Sequence, residues 1–173
     1  MTEFLIPLFQ DFVFAALAGV GFALAANPPL RIVPMVAVFA GLGHALRFGS
    51  AEWGQISVST GSLLAGFAVG ICSVIAAMRM RIPAEYFAFP SLLPMIPGMY
   101  AYKAILSLLN FVEADNLEAK EQWLILTADN GSVALLVVCA LGAGALIPIM
   151  LLQHTKFFTT RSGARNAESR KAF

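Results

Sequence analysis

Phe87-Ala88-Phe89-Pro90-Ser91-Leu92-Leu93-Pro94-Met95-Ile96-Pro97-Gly98-Met99-Tyr100-Ala101-Tyr102-Lys103-Ala104-Ile105-Leu106-Ser107-Leu108-Leu109 is apolar and long enough to cross a bilayer, yet Pro94 and Pro97 interrupt it near its middle. Proline has no backbone donor, and its ring clashes with the carbonyl four residues earlier, so a helix through both prolines must kink or unwind. In hydrocarbon the freed backbone groups need partners, which confines such a break to positions buried in protein or lining water. Transporters place substrate sites at breaks of this kind, whereas a passive proline kink is the plainer alternative. Gly98 adjoins the second proline and can take conformations closed to other residues. The sequence predicts a discontinuity between Leu93 and Met99.

Composition agrees with a membrane setting. Of 173 residues, 59% are hydrophobic and only 12% charged, and the mean hydropathy is +0.79. Such a chain is an integral membrane protein. A net charge of +1, with no basic stripe interleaved with aromatics, points away from nucleic acid. Cys72 and Cys139 lie inside apolar spans and read as packing residues, neither disulfide nor metal ligands. No cofactor is implied. Ser91 and Ser132 lack a base, the two histidines are far apart, and there is no glycine-rich phosphate loop, so no enzyme constellation emerges.

Five apolar segments stand out: Phe4–Ala26, Ile32–Phe48, Ile56–Met78, Tyr86–Phe111 and Trp123–Leu152. A spanning helix needs roughly 20 residues, and the second segment is short for that. The fold expected is an all-α membrane protein, a bundle of five transmembrane helices whose fourth is broken by proline and glycine. Residues 1–155 form its single transmembrane domain, and 156–173 a basic, disordered cytoplasmic tail. The N-terminal segment carries Glu3 and Asp11 where a cleaved leader would be basic, and reads as a span. With five spans, Arg31, Arg79, Arg81, Lys156, Arg161, Arg165, Arg170 and Lys171 fall on one side, and Arg47 and Lys120 on the other. The positive-inside rule then puts the N-terminus outside and the C-terminus in the cytoplasm. Gly66 and Gly70, extended by Ser73, make a small-residue face on the third span, and Gly142 and Gly144 thin the fifth.

Few residues could carry chemistry. Lys103 follows the break, and Asp129, with Asn130 beside it, lies at similar depth on the next span. Intramembrane charges usually pair or face water, so Lys103 and Asp129 either meet, serve transport, or separate with Lys103 snorkelling to the interface. His44 and Arg47 are three apart and share a helix face. Histidine can relay protons, and arginine holds carboxylates bidentately; an interfacial arginine beside a hydrogen-bonded histidine is the alternative. Asn27 begins a turn in which Arg31 serves as a positive anchor.

With these residues in place, the chain resembles the small, five-span half of the threonine/serine exporter superfamily in its split form. The matching elements are Gly19-Val20-Gly21-Phe22-Ala23, then Asn27-x-Pro29-x-Arg31, Gly43-His44-x-x-Arg47, and Pro94-Met95-Ile96-Pro97-Gly98 with Tyr102. Their order and spacing hold over nearly the whole chain before the tail. The resemblance implies an exporter of a small carboxylate or amino acid, of succinate or threonine/serine type, in the bacterial inner membrane. It would be driven by the proton gradient and work with a larger membrane subunit. The substrate carboxylate would sit at the break, with His44 or Asp129 as the proton-linked group. A non-transporting membrane subunit that stabilises a partner is the competing class. Lys103 and Asp129 rest on the physical argument alone.

Overall fold

The computed structural model describes the backbone of residues 2–169 and the side chains of residues 5–152. The chain forms α1 (Thr2–Ala25), α2 (Val33–Gly54), α3 (Val58–Met80), α4 (Glu85–Leu92), α5 (Gly98–Glu113) and α6 (Leu117–Ser169). Short 3₁₀ turns at Leu30–Ile32 and Leu93–Met95 precede α2 and follow α4. No strand occurs among the described residues. Four stretches are each apolar and long enough to cross a membrane, and α4 with α5 makes a fifth if the bent pair is one span.

The helix ends follow from local chemistry. Asn27, Gln55 and Arg81 take positive φ values of 51°, 47° and 57°, the left-handed turn that stops α1, α2 and α3. Pro28 and Pro29 then prevent α1 from resuming. Ser57 caps α3 by accepting from the Thr60 backbone N–H at 3.3 Å, and Asn116 caps α6 through the Ala119 N–H at 2.7 Å. The second span is longer than its apolar core suggested: α2 carries on through Ser50 and Glu52 to Gly54, about 33 Å in all. α6 extends as far as Ser169, into the segment 156–173. No proline or left-handed residue interrupts that ladder, and residues 170–173 lie outside the described part.

Two close-packed layers organise the bundle. α3 lies along α6, and a Cβ at Gly66 would come within 2.7 Å of the Leu141 carbonyl oxygen. One at Gly70 would come within 2.6 Å of the Ala145 carbonyl, and one at Gly144 would overlap the Leu63 carbonyl. These three glycines let the helix backbones touch, as the small-residue face implied. Gly142 faces open space and plays no such part. On the other side, α2 packs against α1, α3 and α4, while α5 runs along α6 and shares no other extended contact.

The fourth span breaks where the prolines demand. After the turn at Leu93–Met95, Ile96 is extended (φ −60°, ψ 131°) and Pro97 sits at φ −80°, ψ 60°. The Gly98 N–H bonds the Ile96 carbonyl at 2.8 Å, an inverse γ-turn centred on Pro97. α5 then leaves at 52° to the preceding half. Gly98 does not take a positive φ, so the prolines make the break without the conformational freedom expected of the glycine.

Gly144→Val should lower stability in detergent by about 1–3 kcal/mol through overpacking, while Gly142→Ala should leave the unfolding midpoint unchanged. Equal effects from the two would refute the backbone contact between α3 and α6.

Candidate functional site

A continuous helix would bond the Met95 carbonyl to the N–H of Met99. The break forbids that, and the freed oxygen instead accepts from Arg47 Nη1 at 2.8 Å. Arg47 reaches it from α2, the central helix of this layer. The Met95 side chain is fully buried against Ala65, Val69, Val137 and Leu141 of α3 and α6, and its tip also lies against Gly43 of α2. One residue at the break is thus fastened by its carbonyl and by its side chain. Ser91, one turn earlier and fully buried, places its hydroxyl 2.7 Å from the Phe87 carbonyl and 3.2 Å from that of Val36, tying α4 to α2.

Arg47 has a second partner. Its Nη2 lies 3.0 Å from His44 Nε2, and His44 Nδ1 lies 2.5 Å from Asp11 Oδ2. A guanidinium only donates, so Nε2 must accept, which puts the ring proton on Nδ1 and directs it to Asp11. A neutral imidazole thus joins a carboxylate on α1 to a guanidinium on α2. The His44 and Asp11 side chains are 19% and 25% exposed, which leaves both accessible from a cavity. The shared face expected of His44 and Arg47 exists, and its third member is Asp11.

That cavity, of about 400 Å³, is lined by Asp11, His44, Arg47 and Ala51 on one side and by Pro97, Gly98 and Tyr100 on the other. The first turn of α5 presents its backbone N–H groups here, and a helix N-terminus favours anions. Guanidinium and helix end can therefore hold a small carboxylate, with neutral imidazole and phenol beside it. Nothing lies within 4 Å of a Cβ at Gly98, so this glycine leaves the cavity clear rather than relieving strain.

Pro97, Gly98, His44 and Arg47 gather at this place, and Pro94 lines a neighbouring cavity that shares Asp11 and His44. The other sequence candidates lie elsewhere. Asn27 and Arg31 are exposed at the far end of α1 and the start of α2; Asn27 is about 24 Å along α1 from Asp11. Their roles there are a left-handed helix stop and a surface cation. Tyr102 points away from the cavity and is 59% exposed, whereas Tyr100, passed over in the sequence, lines it.

Lys103 and Asp129 form no ion pair with each other and both are exposed. Ala104 meets Gly131 across the α5–α6 contact, and Asp129, two residues from Gly131, is rotated about 200° away from α5. Asn130 donates to its own helix at the Leu126 carbonyl, 2.8 Å away. Asp11 is the member that sequence reasoning missed. The signal was present: an acidic residue inside the first apolar span needs a partner in hydrocarbon.

The threonine/serine exporter family, ThrE, matches residues 11–151. The chain belongs to this family. The match runs from Asp11 within α1 to the apolar part of α6 and includes every residue of the Asp11–His44–Arg47 chain. No solved structure matches. Family membership makes the chain an exporter-type membrane transporter component.

Arg47→Met would strand the Met95 carbonyl and leave Asp11 without its counter-charge, so unfolding in detergent should become easier by about 3 kcal/mol. Gly98→Ala, with no neighbour to strike, should change stability by less than about 0.5 kcal/mol.

Proposed function

We propose that this chain is one subunit of a proton-driven exporter for a small carboxylate or hydroxy amino acid, of threonine/serine or succinate type, in the bacterial inner membrane. The observation that carries the reading is the Arg47 guanidinium held at the mouth of α5 inside a 400 Å³ cavity. Sites for small molecules run from roughly 300 to 1,000 Å³, so the cavity suits a metabolite and no polymer. A substrate carboxylate would take the guanidinium hydrogens from His44 and the Met95 carbonyl, and its remaining charge would face the first turn of α5. His44, in contact with both a carboxylate and a guanidinium, is the proton-linked group.

Partner dependence follows from the open side of the site. Among the described residues α5 packs extensively only on α6, and no helix is seen to close the space between α5 and α1. Phe9, Phe14, Met99 and Ile105 stand exposed along those helices. A larger subunit would supply the missing wall, and lipid would cover the remaining faces. Arg31, Arg79 and Arg81 cluster at the Asn27 end, which supports a cytoplasmic location for that end and an outer one for the N-terminus.

The test is efflux of labelled threonine and of succinate from vesicles containing this chain with its larger partner. Arg47→Gln should reduce efflux of the true substrate at least about tenfold, a loss of 1.4 kcal/mol or more, and Arg31→Gln should leave it near the unmodified rate. Undiminished efflux with Arg47→Gln would refute the site. Loss of the partner from the membrane, with efflux per remaining partner unchanged, would favour the competing reading of a subunit that only stabilises assembly.

A further inference from the structure

α3 and α6 run side by side in the same direction, with Gly66 against the Leu141 carbonyl and Gly70 against the Ala145 carbonyl. Carried back along both helices, that register sets Val58, the first residue of α3, level with Val133, and both pack on one buried cluster. Leu117–Ser132 of α6, about 24 Å of helix, therefore stands beyond the start of α3. α1 and α2 do not accompany it. Asp11 bonds His44, and Thr2 and Gly54 each lie about 15 Å further along their helices, so both helices end near the level of Val58. Only α5 rises with α6: Ala104 meets Gly131, and no other helix shares an extended contact with α5.

The bilayer cannot cover this length. α3, at about 35 Å, already matches a hydrocarbon core of roughly 30 Å. The apolar stretch of α6, Leu117–Leu152, is 36 residues long. That is about 54 Å, and a tilt of about 40° still leaves about 41 Å. Yet the projecting hairpin has the surface of a membrane helix pair. It turns Ala104 and Ser107 toward α6 and leaves Leu109, Val112, Leu124 and Ile125 exposed.

Two opposite charges stand on the same hairpin. Lys103 lies exposed on a flank of α5, and Asp129 lies exposed on the back of α6, turned away from α5. Neither has an ion-pair partner among the described residues. The Ala104–Gly131 contact puts them within one turn of each other in height. Leu106 shares the stripe of Lys103, and Ile125 and Leu126 that of Asp129; all three are exposed.

We propose that this hairpin docks on the same hairpin of a second copy of the chain, with Lys103 of each copy paired to Asp129 of the other. Two constraints select a second copy. A cover for the hairpin must itself rise about 24 Å past the start of α3, on the side of the N-terminus, and another copy does so by having the same sequence. A two-fold axis along the helices also keeps every residue at its own height. It can join Lys103 to Asp129 because their heights agree, and it forms the pair twice. Across the axis, the back of α6 meets the flank of the other copy's α5, and Leu106, Ile125 and Leu126 pack round the charges. That apolar surround reduces the solvent screening that makes exposed pairs weak. The contact stands beyond the Arg47 cavity and is independent of what the exporter carries.

The experiment is disulfide trapping in native membrane vesicles holding the full chain and its larger partner. Cys72→Ser and Cys139→Ser remove the native thiols. Two copies with different tags are produced together, one with Lys103→Cys and one with Asp129→Cys. Mild oxidation should yield a product carrying both tags. Ala101→Cys, on the opposite flank of α5, used in place of Lys103→Cys should lower that yield at least about tenfold. In chains that keep their native cysteines, Lys103→Glu should reduce co-purification of the two tags, and adding Asp129→Lys to the same chain should restore it. A product joining the hairpin to the larger subunit in place of the two-tag product overturns the proposal, as does equal trapping from both flanks of α5. If the cysteine variants do not reach the membrane, carbodiimide coupling of the unmodified chain reads the same contact. One copy is then labelled with heavy isotopes, and a mixed-isotope peptide linking Lys103 to Asp129 is expected; its absence is equally fatal.

Discussion

A carbonyl oxygen with no helix partner, deep in a membrane protein, is the constraint on which this fold turns. Pro94 and Pro97 free backbone acceptors at a depth where lipid offers no donors. Arg47 supplies one to Met95 at 2.8 Å. A charged side chain at that depth needs compensation of its own, and His44 and Asp11 complete it through α1. The proline break therefore calls for the arginine, and the arginine calls for the carboxylate on the neighbouring helix, α1. Without any one of them the other two would be costly.

The same economy explains the division of the bundle. α3 and α6 approach until their backbones touch at Gly66, Gly70 and Gly144, which makes a rigid wall. The Met95 side chain is packed into that wall, so the break is held still from behind. In front of it α1 and α2 carry the polar groups, joined by the Asp11–His44 and His44–Arg47 bonds. α5 belongs to the rigid side, and its first turn is presented across the cavity to Arg47.

Much of this was legible in the residues. The break between Leu93 and Met99 follows from proline chemistry alone, and the shared face of His44 and Arg47 from helical spacing. The close contact of α3 with α6 follows from small residues four apart. Other elements were not legible for definite reasons. Lys103 and Asp129 have similar depths, but a helix rotation set by the Ala104–Gly131 contact turns Asp129 away from α5. Tyr100 and Tyr102 are two residues apart and equivalent in composition; only the direction in which α5 leaves the break decides which one faces the cavity. Asn27 sits in a motif, yet its φ of 51° shows that it ends a helix.

By itself the sequence determined the number of apolar spans, the position of the broken one and the family, because these depend on local properties: hydropathy over about 20 residues, the missing proline donor, and motifs in order. Tertiary structure alone decided that Asp11 belongs with His44, 33 residues away, and that Arg47 answers the Met95 carbonyl, 48 residues away. Which side chains meet across helices depends on the rotation and tilt of each one. Those are fixed by the packing of the whole bundle, and no local stretch of the chain records them.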